Sequence, residues 1–409
     1  MKKFQIPEHF QSSFTGRLKA MRRTMDPRKK DWSPTVIETG PVSFVFPRHM
    51  GFCYGVENAI EIAFKAVHEN PGKRIFLLGE MIHNPAVNED LLSLGVQFIM
   101  DTTGKHLIDW NTLTAEDIVI TPAFGTTLEI ESQLNAIGVD VKKYNTTCPF
   151  VEKVWKRSNE IGKDGFTIII HGKYKHEETR ATFSHAQQSS KSIIIRDMKE
   201  AEWLAEWIEG KMTLELFQER FQGKCSEGFN PEEDLRRIGV VNQTTMLATE
   251  TEEIVAYLKS VMHQKYGEHA FADTRDTLCY ATNENQVAAL ELLNSGAELA
   301  FVIGGHKSSN TYQLATILSD KMKTYFIENA EAISADHVKC LDLQSMTVKM
   351  EETILSKIPL EKICVASGAS CPDTLVDEVI FKLVERLGIE PTPAQWLEQW
   401  EENFQKGNS

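Results

Sequence analysis

The sequence lacks any apolar segment long enough to cross a membrane as a helix. No run of about 18 or more apolar residues occurs, which is roughly the length that a membrane span needs. Residues 1–7 also lack the apolar core of a secretory signal. We therefore expect a globular protein that works in the cytoplasm and has no membrane span.

Positive charge is scarce outside one stretch of the chain. The formal net charge is -14 and the isoelectric point lies near 5.4, so a broad nucleic-acid-binding face is not expected. The exception is the N-terminal arm, whose basic residues are Lys2, Lys3, Arg17, Lys19, Arg22, Arg23, Arg28, Lys29 and Lys30. The arm is either a solvated segment packed on the outside or a surface that steers an acidic electron carrier by complementary charge.

Closely spaced cysteine pairs are absent as well. The chain has seven cysteines, an odd number without an export signal, which favours reduced thiols or metal ligands over a disulfide framework. Structural zinc sites usually take cysteines in pairs about two to four residues apart, and no such pair occurs. We interpret four of the cysteines as buried or incidental thiols: Cys225, Cys340, Cys364 and Cys371.

The other three cysteines, Cys53, Cys148 and Cys279, each open a unit of the same design. Each stands where an extended segment joins a run with apolar residues at helical spacing. A turn, a strand and a cluster of polar residues follow in all three. Strands that alternate with helices predict parallel sheets, in which ligands bind where strands end and loops begin. The repeat therefore predicts an α/β fold that directs three cysteines and three polar loops at one centre.

These repeats divide the chain into five segments. The basic arm covers residues 1–41, and the first α/β unit covers 42–145. The second unit, 146–277, carries an insertion at about 204–235 that we interpret as a helical excursion on the surface or as an interface. The third unit covers 278–388, and a C-terminal tail covers 389–409.

Three widely separated cysteines suit an iron-sulfur cluster if the fold brings them together. Thiolates are the natural ligands of iron in such clusters, and a helix N-terminus favours the thiolate. A 4Fe-4S cluster held by three thiolates has one open iron, which can bind substrate as a Lewis acid while the cluster supplies electrons. The alternative is three unrelated structural thiols, but recurrence of the whole unit favours a shared cluster.

The polar clusters of the first two units are candidates for acid-base chemistry. His83 follows a predicted strand, where a lone histidine is more often structural than catalytic. His176 and Glu178 stand two residues apart, a pairing that can shuttle a proton to a leaving hydroxyl. A solvated acidic turn before a helix fits His176 and Glu178 equally well.

Hydroxyl and amide side chains follow strands and precede helices at three further places. They are Thr244 with Thr245, Ser308 with Ser309 and Asn310, and Ser370. Backbone N–H groups point outward at such positions, which suits a phosphate or diphosphate. Capping of the helix is the commoner use of these residue types, and one residue can do both.

Together these residues resemble a known family, the LytB/IspH-type 4-hydroxy-3-methylbut-2-enyl diphosphate reductases of the non-mevalonate isoprenoid pathway. The matching segments occur in family order and are Gly51–Val56, Ile82–Asn84, Thr146–Pro149, His176 with Glu178, Asn242–Thr245, Cys279–Thr282, Ser308–Asn310 and Ser367–Ser370. The arm and the insertion are similar to the longer branch of the family, the one typical of photosynthetic organisms.

The resemblance implies a trefoil of three related α/β domains with small parallel sheets around a central 4Fe-4S cluster. The ligands would be Cys53, Cys148 and Cys279, with one iron open. It implies reduction of the allylic diphosphate to isopentenyl and dimethylallyl diphosphate with loss of water. Two electrons would come from a ferredoxin or flavodoxin type donor.

The resemblance also assigns roles within the site. The substrate's hydroxyl oxygen would bind the open iron, and Glu178 would lead proton delivery with Thr244 nearby. His176 would support that relay or the diphosphate. The residues implied to bind substrate are His83, His176, Thr244, Ser308, Ser309, Asn310 and Ser370.

One position departs from the family pattern. Where much of the family has a histidine in a Ser-Ala-His-Gly loop, this chain has Phe124, which cannot donate a hydrogen bond to phosphate. The longer branch shares this change, so activity is still expected. The residues that could compensate are Thr126, Thr127, His306 and Lys307.

Two other classes of protein fit parts of the sequence. A quinolinate synthase-like dehydratase uses an open iron to remove water without net reduction. It favours cationic groups for a dicarboxylate over hydroxyl-bearing loops. A noncatalytic iron-sulfur sensor or scaffold does not require His176, Glu178 and the hydroxyl loops to converge.

Overall fold

The computed structural model of the chain describes residues 4–272, 277–353, 355, 360–390 and 393–407. The chain divides into two compact bodies. The terminal body comprises Met1–Glu57, His83–Pro85 and Tyr280–Ser409, and the central body comprises Asn58–Ile82 and Ala86–Cys279. None of the described helices is both long enough and apolar enough to cross a membrane.

The terminal body is built on one seven-stranded sheet. Its strands are β1 Thr35–Glu38, β2 Ser43–Phe46, β9 Leu299–Ile303, β10 Lys323–Ile327, β11 His337–Leu341, β12 Val348–Glu352 and β13 Lys362–Ser367. The order across the sheet is β1-β2-β13-β9-β10-β11-β12, with the four strands from β2 to β10 parallel. Ser367 lies opposite Ile303, so β13 and β9 end at the same edge of the sheet.

Among the described residues, six α-helices have at least their first turn in this body. They are α1 Thr15–Met25, α2 Tyr54–Glu69, α11 Tyr280–Leu292, α12 Ser309–Ser319, α13 Asp373–Leu387 and α14 Pro393–Gly407. Helix α2 begins in the terminal body and continues into the central body. Large aromatic side chains fill the core: Phe44 is fully buried and stacks on Trp396 with 5.5 Å between ring centroids. Their burial holds α14 against the sheet.

The central body contains two three-stranded parallel sheets. The first is formed by β3 Ile75–Leu77, β4 Gln97–Phe98 and β5 Ile118–Ile120, in the order β4-β3-β5. The second is formed by β6 Thr167–His171, β7 Ser192–Ile195 and β8 Ile238–Asn242, in the order β7-β6-β8. Continuous buried isoleucine runs in β6 and β7 are typical of parallel strands covered on both faces.

Among the described residues, eight further α-helices lie wholly or mainly in this body. They are α3 Pro85–Ser93, α4 Leu128–Ile137, α5 Pro149–Lys163, α6 Glu177–Ala186, α7 Met198–Ile208, α8 Leu214–Arg220, α9 Pro231–Asp234 and α10 Ala248–Tyr266. Local chemistry sets their ends. Thr127 caps the start of α4, and Gly138 ends it in the left-handed conformation, with φ 94°. Pro149 occupies the first position of α5, where its missing N–H costs no helical hydrogen bond.

The predicted α/β fold class is confirmed, with one difference in strand assignment. Each unit recognised in the sequence contributes one of the three sheets. However, β2, placed in the first unit, pairs with β13 and extends the sheet of the third unit. The apolar side chains of Phe44 and Phe46 join the core of that sheet. The five ranges drawn from the sequence stay a prediction beside the two bodies described above.

The arm and the insertion both pack closely on their own bodies. In the arm, Phe14 and Leu18 are each 2% exposed and belong to the terminal core. In the insertion, Phe217 and Phe221 are each 2% exposed and pack in the core around β6–β8. The insertion contains the end of α7 together with α8 and α9, and these two aromatic side chains fix it to the sheet.

Candidate active site

Each of the three repeated cysteines is held by the loop that follows the last strand of a sheet. The backbone N–H donates to a loop carbonyl in every case: Cys53 to Ala369 after β13 at 3.1 Å, Cys148 to Ala123 after β5 at 2.9 Å, and Cys279 to Thr244 after β8 at 3.4 Å. A helix begins directly after each cysteine, namely α2, α5 and α11. The same local structure therefore occurs three times.

The chemistry of these three thiols fits an iron-sulfur cluster. None of the three forms a disulfide bond within the part of the chain that the structure describes. The following helix N-terminus favours a thiolate or another anionic group at each position. Burial raises the pKa of the Cys53 thiol, while the backbone N–H groups of Val56 and Gly55 oppose that shift. A bound metal cation takes the place of the proton on a coordinating thiol. Cys53 lies in the terminal body, and Cys148 and Cys279 lie in the central body.

Glu178 and Thr244 form a buried pair in the central body. Glu178 lies in the first turn of α6 and is 1% exposed, and Thr244 lies just after β8. They meet because β6 and β8 are parallel neighbours whose ends share an edge. The Thr244 N–H donates to Oε1 of Glu178 at 2.5 Å, and its hydroxyl donates to Oε2 at 3.0 Å. The carbonyl of Thr244 accepts from Cys279, which places the carboxyl group beside a predicted ligand.

His176 is the N-cap of α6 and belongs to the same turn. Its Nδ1 accepts the backbone N–H of Glu178 at 3.2 Å. In the neutral ring this contact assigns the proton to Nε2, which can then donate. The ring of Phe124 meets that of His176 edge-on, with 5.4 Å between centroids. Phe124 therefore packs against one of the predicted catalytic residues.

The predicted diphosphate residues of the terminal body meet where β9 and β13 end. Ser308 caps α12 by accepting the N–H of Thr311 at 3.3 Å, and the Ser370 hydroxyl donates to the Ser308 hydroxyl at 3.3 Å. Oδ1 of Asn310 accepts the N–H of Ala369 at 2.9 Å. Among the described residues, Nδ2 of Asn310 is buried without a hydrogen-bond partner. Such a group costs about 1–3 kcal/mol when unsatisfied, which indicates a site for an acceptor ligand.

His83 reaches the same loops through its backbone. Gly305 follows β9, and a Cβ atom added there would lie 2.3 Å from the carbonyl oxygen of His83. The close approach therefore requires glycine at position 305. His83 is 5% exposed and Ser309 is 3% exposed. The five predicted diphosphate residues of this body thus belong to one set of adjoining loops.

Gln243 positions the acidic turn and was not singled out as a functional residue from the sequence. Its Oε1 accepts the Lys173 N–H and the Thr179 hydroxyl, each at 3.1 Å, and its Nε2 donates to Thr245 at 2.7 Å. These bonds tie the turn before α6 to the end of β8. Its place inside the Asn242–Thr245 motif was the available signal.

Asn88 fixes the residues that precede His83. Its Oδ1 accepts the N–H of Met81 at 3.0 Å, and its Nδ2 donates to the carbonyl of Ile82 at 2.8 Å. An asparagine in the middle of a helix such as α3 carries no sequence signal for this role, so sequence reasoning missed it.

Four residues were candidates to compensate for Phe124, which stands where much of the family has a histidine. Two of them already make hydrogen bonds to nearby backbone groups. The Thr127 hydroxyl caps α4. The ring of His306 turns toward β10, with Nε2 3.3 Å from a backbone carbonyl of that strand. Thr126, buried, and Lys307, exposed, remain as candidates.

The fold and this chemistry define an α/β enzyme whose cysteines and polar loops follow the ends of parallel strands. The chain belongs to the LytB protein family, whose family model matches residues 45–384. The predicted recognition is thereby confirmed.

Curated relatives and solved structures agree with this assignment. The 4-hydroxy-3-methylbut-2-enyl diphosphate reductase of Parasynechococcus marenigrum is 40% identical, over 82% of this chain and 83% of the relative. That of Trichormus variabilis is 39% identical over 85% of each chain. The fold resembles the solved reductase of Plasmodium falciparum, with a TM-score of 0.61, 20% identity and coverage of 87% and 96%. It also resembles a solved (E)-4-hydroxy-3-methyl-but-2-enyl diphosphate reductase, the terminal enzyme of the non-mevalonate pathway, with a TM-score of 0.50, 23% identity and coverage of 84% and 99%.

Proposed function

We propose that this chain reduces 4-hydroxy-3-methylbut-2-enyl diphosphate, the substrate for which its relatives are named, to isopentenyl and dimethylallyl diphosphate. In this reaction the allylic C–O bond breaks, two electrons and two protons are taken up, and water leaves. The protein must therefore supply a proton at the leaving oxygen, a route for electrons and a site for the diphosphate. The observation that carries the proposal is the buried Glu178–Thr244 pair beside Cys279 in a LytB family member.

Cys53, Cys148 and Cys279 are the proposed ligands of a 4Fe-4S cluster. When bound, such a cluster supplies electrons and one Lewis-acidic iron without a protein ligand. Support comes from their matching positions before helices and from the carbonyl that anchors each backbone N–H.

Glu178 holds the proton that the leaving hydroxyl needs. Both of its carboxyl oxygens lie within hydrogen-bond distance of Thr244, which fixes the orientation of the group. A carboxyl group held in this orientation can donate a proton to the leaving oxygen as a general acid. His176 supports the relay or the diphosphate through the proton on its Nε2.

The loops after β9 and β13 bind the diphosphate. Nδ2 of Asn310, which has no partner among the residues described, and the N-terminus of α12 both offer donors to an anion. Ser308, Ser309 and Ser370 add hydroxyl groups, and His83 adds its ring. Hydrogen bonds to a charged group contribute roughly 1.5–3 kcal/mol each, so several such donors suffice without an arginine.

No observation on the described residues favours the dehydratase or the sensor over the reductase. The relatives are reductases by name, and a buried acid held by two hydrogen bonds has no part in a passive sensor. The electron donor is proposed to be a ferredoxin or flavodoxin type protein. The cytoplasmic location expected from the sequence stays a prediction.

The deciding experiment is a single turnover. Protein purified without oxygen is reduced with dithionite, freed of excess reductant, and mixed with the allylic diphosphate. The expected result is formation of isopentenyl and dimethylallyl diphosphate, in total one for every two electrons stored. Reduced protein that binds iron but forms neither product would refute the proposed function.

The ligand assignment has a separate readout. Cys53→Ser, Cys148→Ser and Cys279→Ser should each lower the iron content and the visible absorbance of the purified protein. Cys225→Ser is the matched control, because Cys225 is half-buried and lies within the insertion. Unchanged iron content in any of the three ligand variants would contradict that ligand's assignment.

A further inference from the structure

The N-terminal arm is a fixed part of the terminal body rather than a solvated extension. Asp377, on α13, accepts hydrogen bonds from the hydroxyl of Ser12 at 2.7 Å and from the backbone N–H groups of Phe14 and Thr15 at 3.0 and 2.8 Å. Lys19 forms an ion pair with Asp373 at 2.8 Å, on the same helix. The arm therefore presents its charged side chains in a fixed arrangement.

The arm also covers the segment that carries Cys53. The ring of Phe4 meets that of Tyr54 with 4.9 Å between centroids, and Phe10 meets Phe52 at 6.0 Å. These aromatic residues of the arm thus contact the two residues on either side of the proposed cluster ligand. The surface of the arm is consequently the outer surface of this part of the Cys53 segment.

A cavity of about 360 Å³ lies between the arm and this segment, and its lining includes Cys53. The basic residues in its wall are Lys19, Arg23, Lys29 and Arg48. The Arg48 side chain is 5% exposed, and its Nε has no hydrogen-bond partner among the described residues. The Arg48 guanidinium also lies 3.9 Å from the Asp26 carboxylate, and Glu57 and Glu284 line the same cavity, so the positive charge of its wall is partly balanced.

Some of the basic side chains of the arm form ion pairs with nearby carboxylates, and others do not. Lys19 is paired with Asp373, and Lys29 is paired with Glu284 at 2.8 Å. Arg17 lies 3.4 Å from Glu401. By contrast, Arg28 and Lys30 are exposed and form no ion pair with the residues that the structure describes.

Arg23 is likewise exposed and also lines the cavity. The three residues Arg23, Arg28 and Lys30 are therefore called the basic face. It is carried by a chain whose net charge is -14. An acidic partner is repelled by most of such a chain and attracted to this face.

We propose that the basic face is the docking surface for a small acidic electron-carrier protein, which delivers electrons beside Cys53. The proposal rests on the proposed function, since that reaction consumes two electrons that the chain must obtain from outside. Each docked carrier is oxidised by one electron, and two dockings supply one turnover. A protein fits better than a small anion because Arg28 and Lys30 extend the positive charge beyond the lining of the cavity.

The test uses the holoenzyme with two reductants. The protein reductant is an acidic 2Fe-2S ferredoxin kept reduced, and the small reductant is reduced methyl viologen, which needs no docking surface. The test variant combines Arg23→Glu, Arg28→Glu and Lys30→Glu. The control variant combines Lys321→Glu, Lys339→Glu and Arg386→Glu, which make the same change of charge at exposed sites elsewhere in the terminal body.

The KM for ferredoxin should rise at least about tenfold in the test variant at low ionic strength, because charge steering changes association rates by about 10–1000-fold. Its rate should also lose most of its dependence on salt. Turnover with methyl viologen should stay within about twofold of the native protein. The control variant should resemble the native protein with both reductants.

Several results would overturn the docking assignment. They are an unchanged KM for ferredoxin, an equal rise in the control variant, and a loss of viologen-driven turnover. The last is checked with a milder variant, in which the same three residues become glutamine. If that variant also loses viologen-driven turnover, the face supports catalysis rather than docking. Absence of turnover by the native protein with either reductant would instead refute the proposed function.

Discussion

Replacing Glu178 with glutamine separates the proton role of this residue from its structural role. Glutamine has nearly the same shape, and its Oε1 can accept the Thr244 N–H that Glu178 now accepts at 2.5 Å. Its Nε2 can donate to the Thr244 hydroxyl, which now donates to Glu178 at 3.0 Å. The exchange keeps two hydrogen bonds, so the expected loss in free energy of unfolding is only about 1 kcal/mol.

The expected loss of activity is much larger. General acid catalysis contributes about 10²–10⁴ in rate, which corresponds to about 3–5 kcal/mol in activation free energy. Because the glutamine amide has no acidic proton to transfer to the leaving hydroxyl, kcat should fall by that factor. Iron content and visible absorbance should remain as in the native protein.

The assay is anaerobic turnover with methyl viologen, followed by product analysis. Glu177→Gln is the matched control, since Glu177 is the preceding residue on α6 but is only half-buried; it should change kcat by less than about threefold. If Glu178→Gln turned over within threefold of the native protein, the proton role assigned to Glu178 would be wrong. An equal loss in both variants would point to damage of the α6 turn rather than to a missing proton.

Three further substitutions test the structure around the site. Gly305→Ala puts a Cβ 2.3 Å from the His83 carbonyl oxygen, so we expect the KM for the diphosphate to rise about tenfold or more. Gly16→Ala is the control, because its added Cβ would lie at an ordinary contact distance of 3.8 Å from Ser12, and it should not change that KM. Burial lowers the pKa of His171 from 6.5 to about 4. The contribution of the neutral side chain to the free energy of unfolding should therefore be complete above pH 6.5, and that free energy should fall by up to about 3 kcal/mol as the pH drops to 4. In His171→Gln that part of the pH dependence should vanish in denaturant titrations, and an unchanged slope would contradict it. Asp377→Ala removes the acceptor for three hydrogen bonds of the arm and should cost roughly 2–4 kcal/mol in denaturant unfolding; a loss below about 1 kcal/mol would mean that the core contacts of Phe14 alone hold the arm.

Local sequence was sufficient for the elements and for the residue types of the site. The cysteines, the polar loops and the helices after them follow from apolar periodicity and from capping chemistry, which involve only near neighbours in the chain. Ser308 and Ser370 follow the ends of parallel strands, where ligands gather in such sheets, and their hydroxyl groups are hydrogen-bonded to each other.

The same reasoning could not reach contacts between distant segments. The apolar periodicity of the sequence does not indicate that β2 pairs with β13. The partner of a strand depends on where its side chains can be buried in the folded protein. Nor does spacing reveal that Gln243 ties two loops together, or that Nδ2 of Asn310 finds no hydrogen-bond partner in the described part of the chain. Each of these is a property of three-dimensional packing.

By itself, the sequence determined the chemistry that the protein carries: three cysteines before helices, an acid in a turn before a helix, and hydroxyl and amide side chains after strands. Only the tertiary structure decided which of these groups meet. It joined Glu178 to Thr244 and embedded the arm, through Asp377, over the Cys53 segment. The physical reason is that side-chain identity and helix capping are local. Burial and hydrogen-bond satisfaction, in contrast, depend on residues brought together from across the chain.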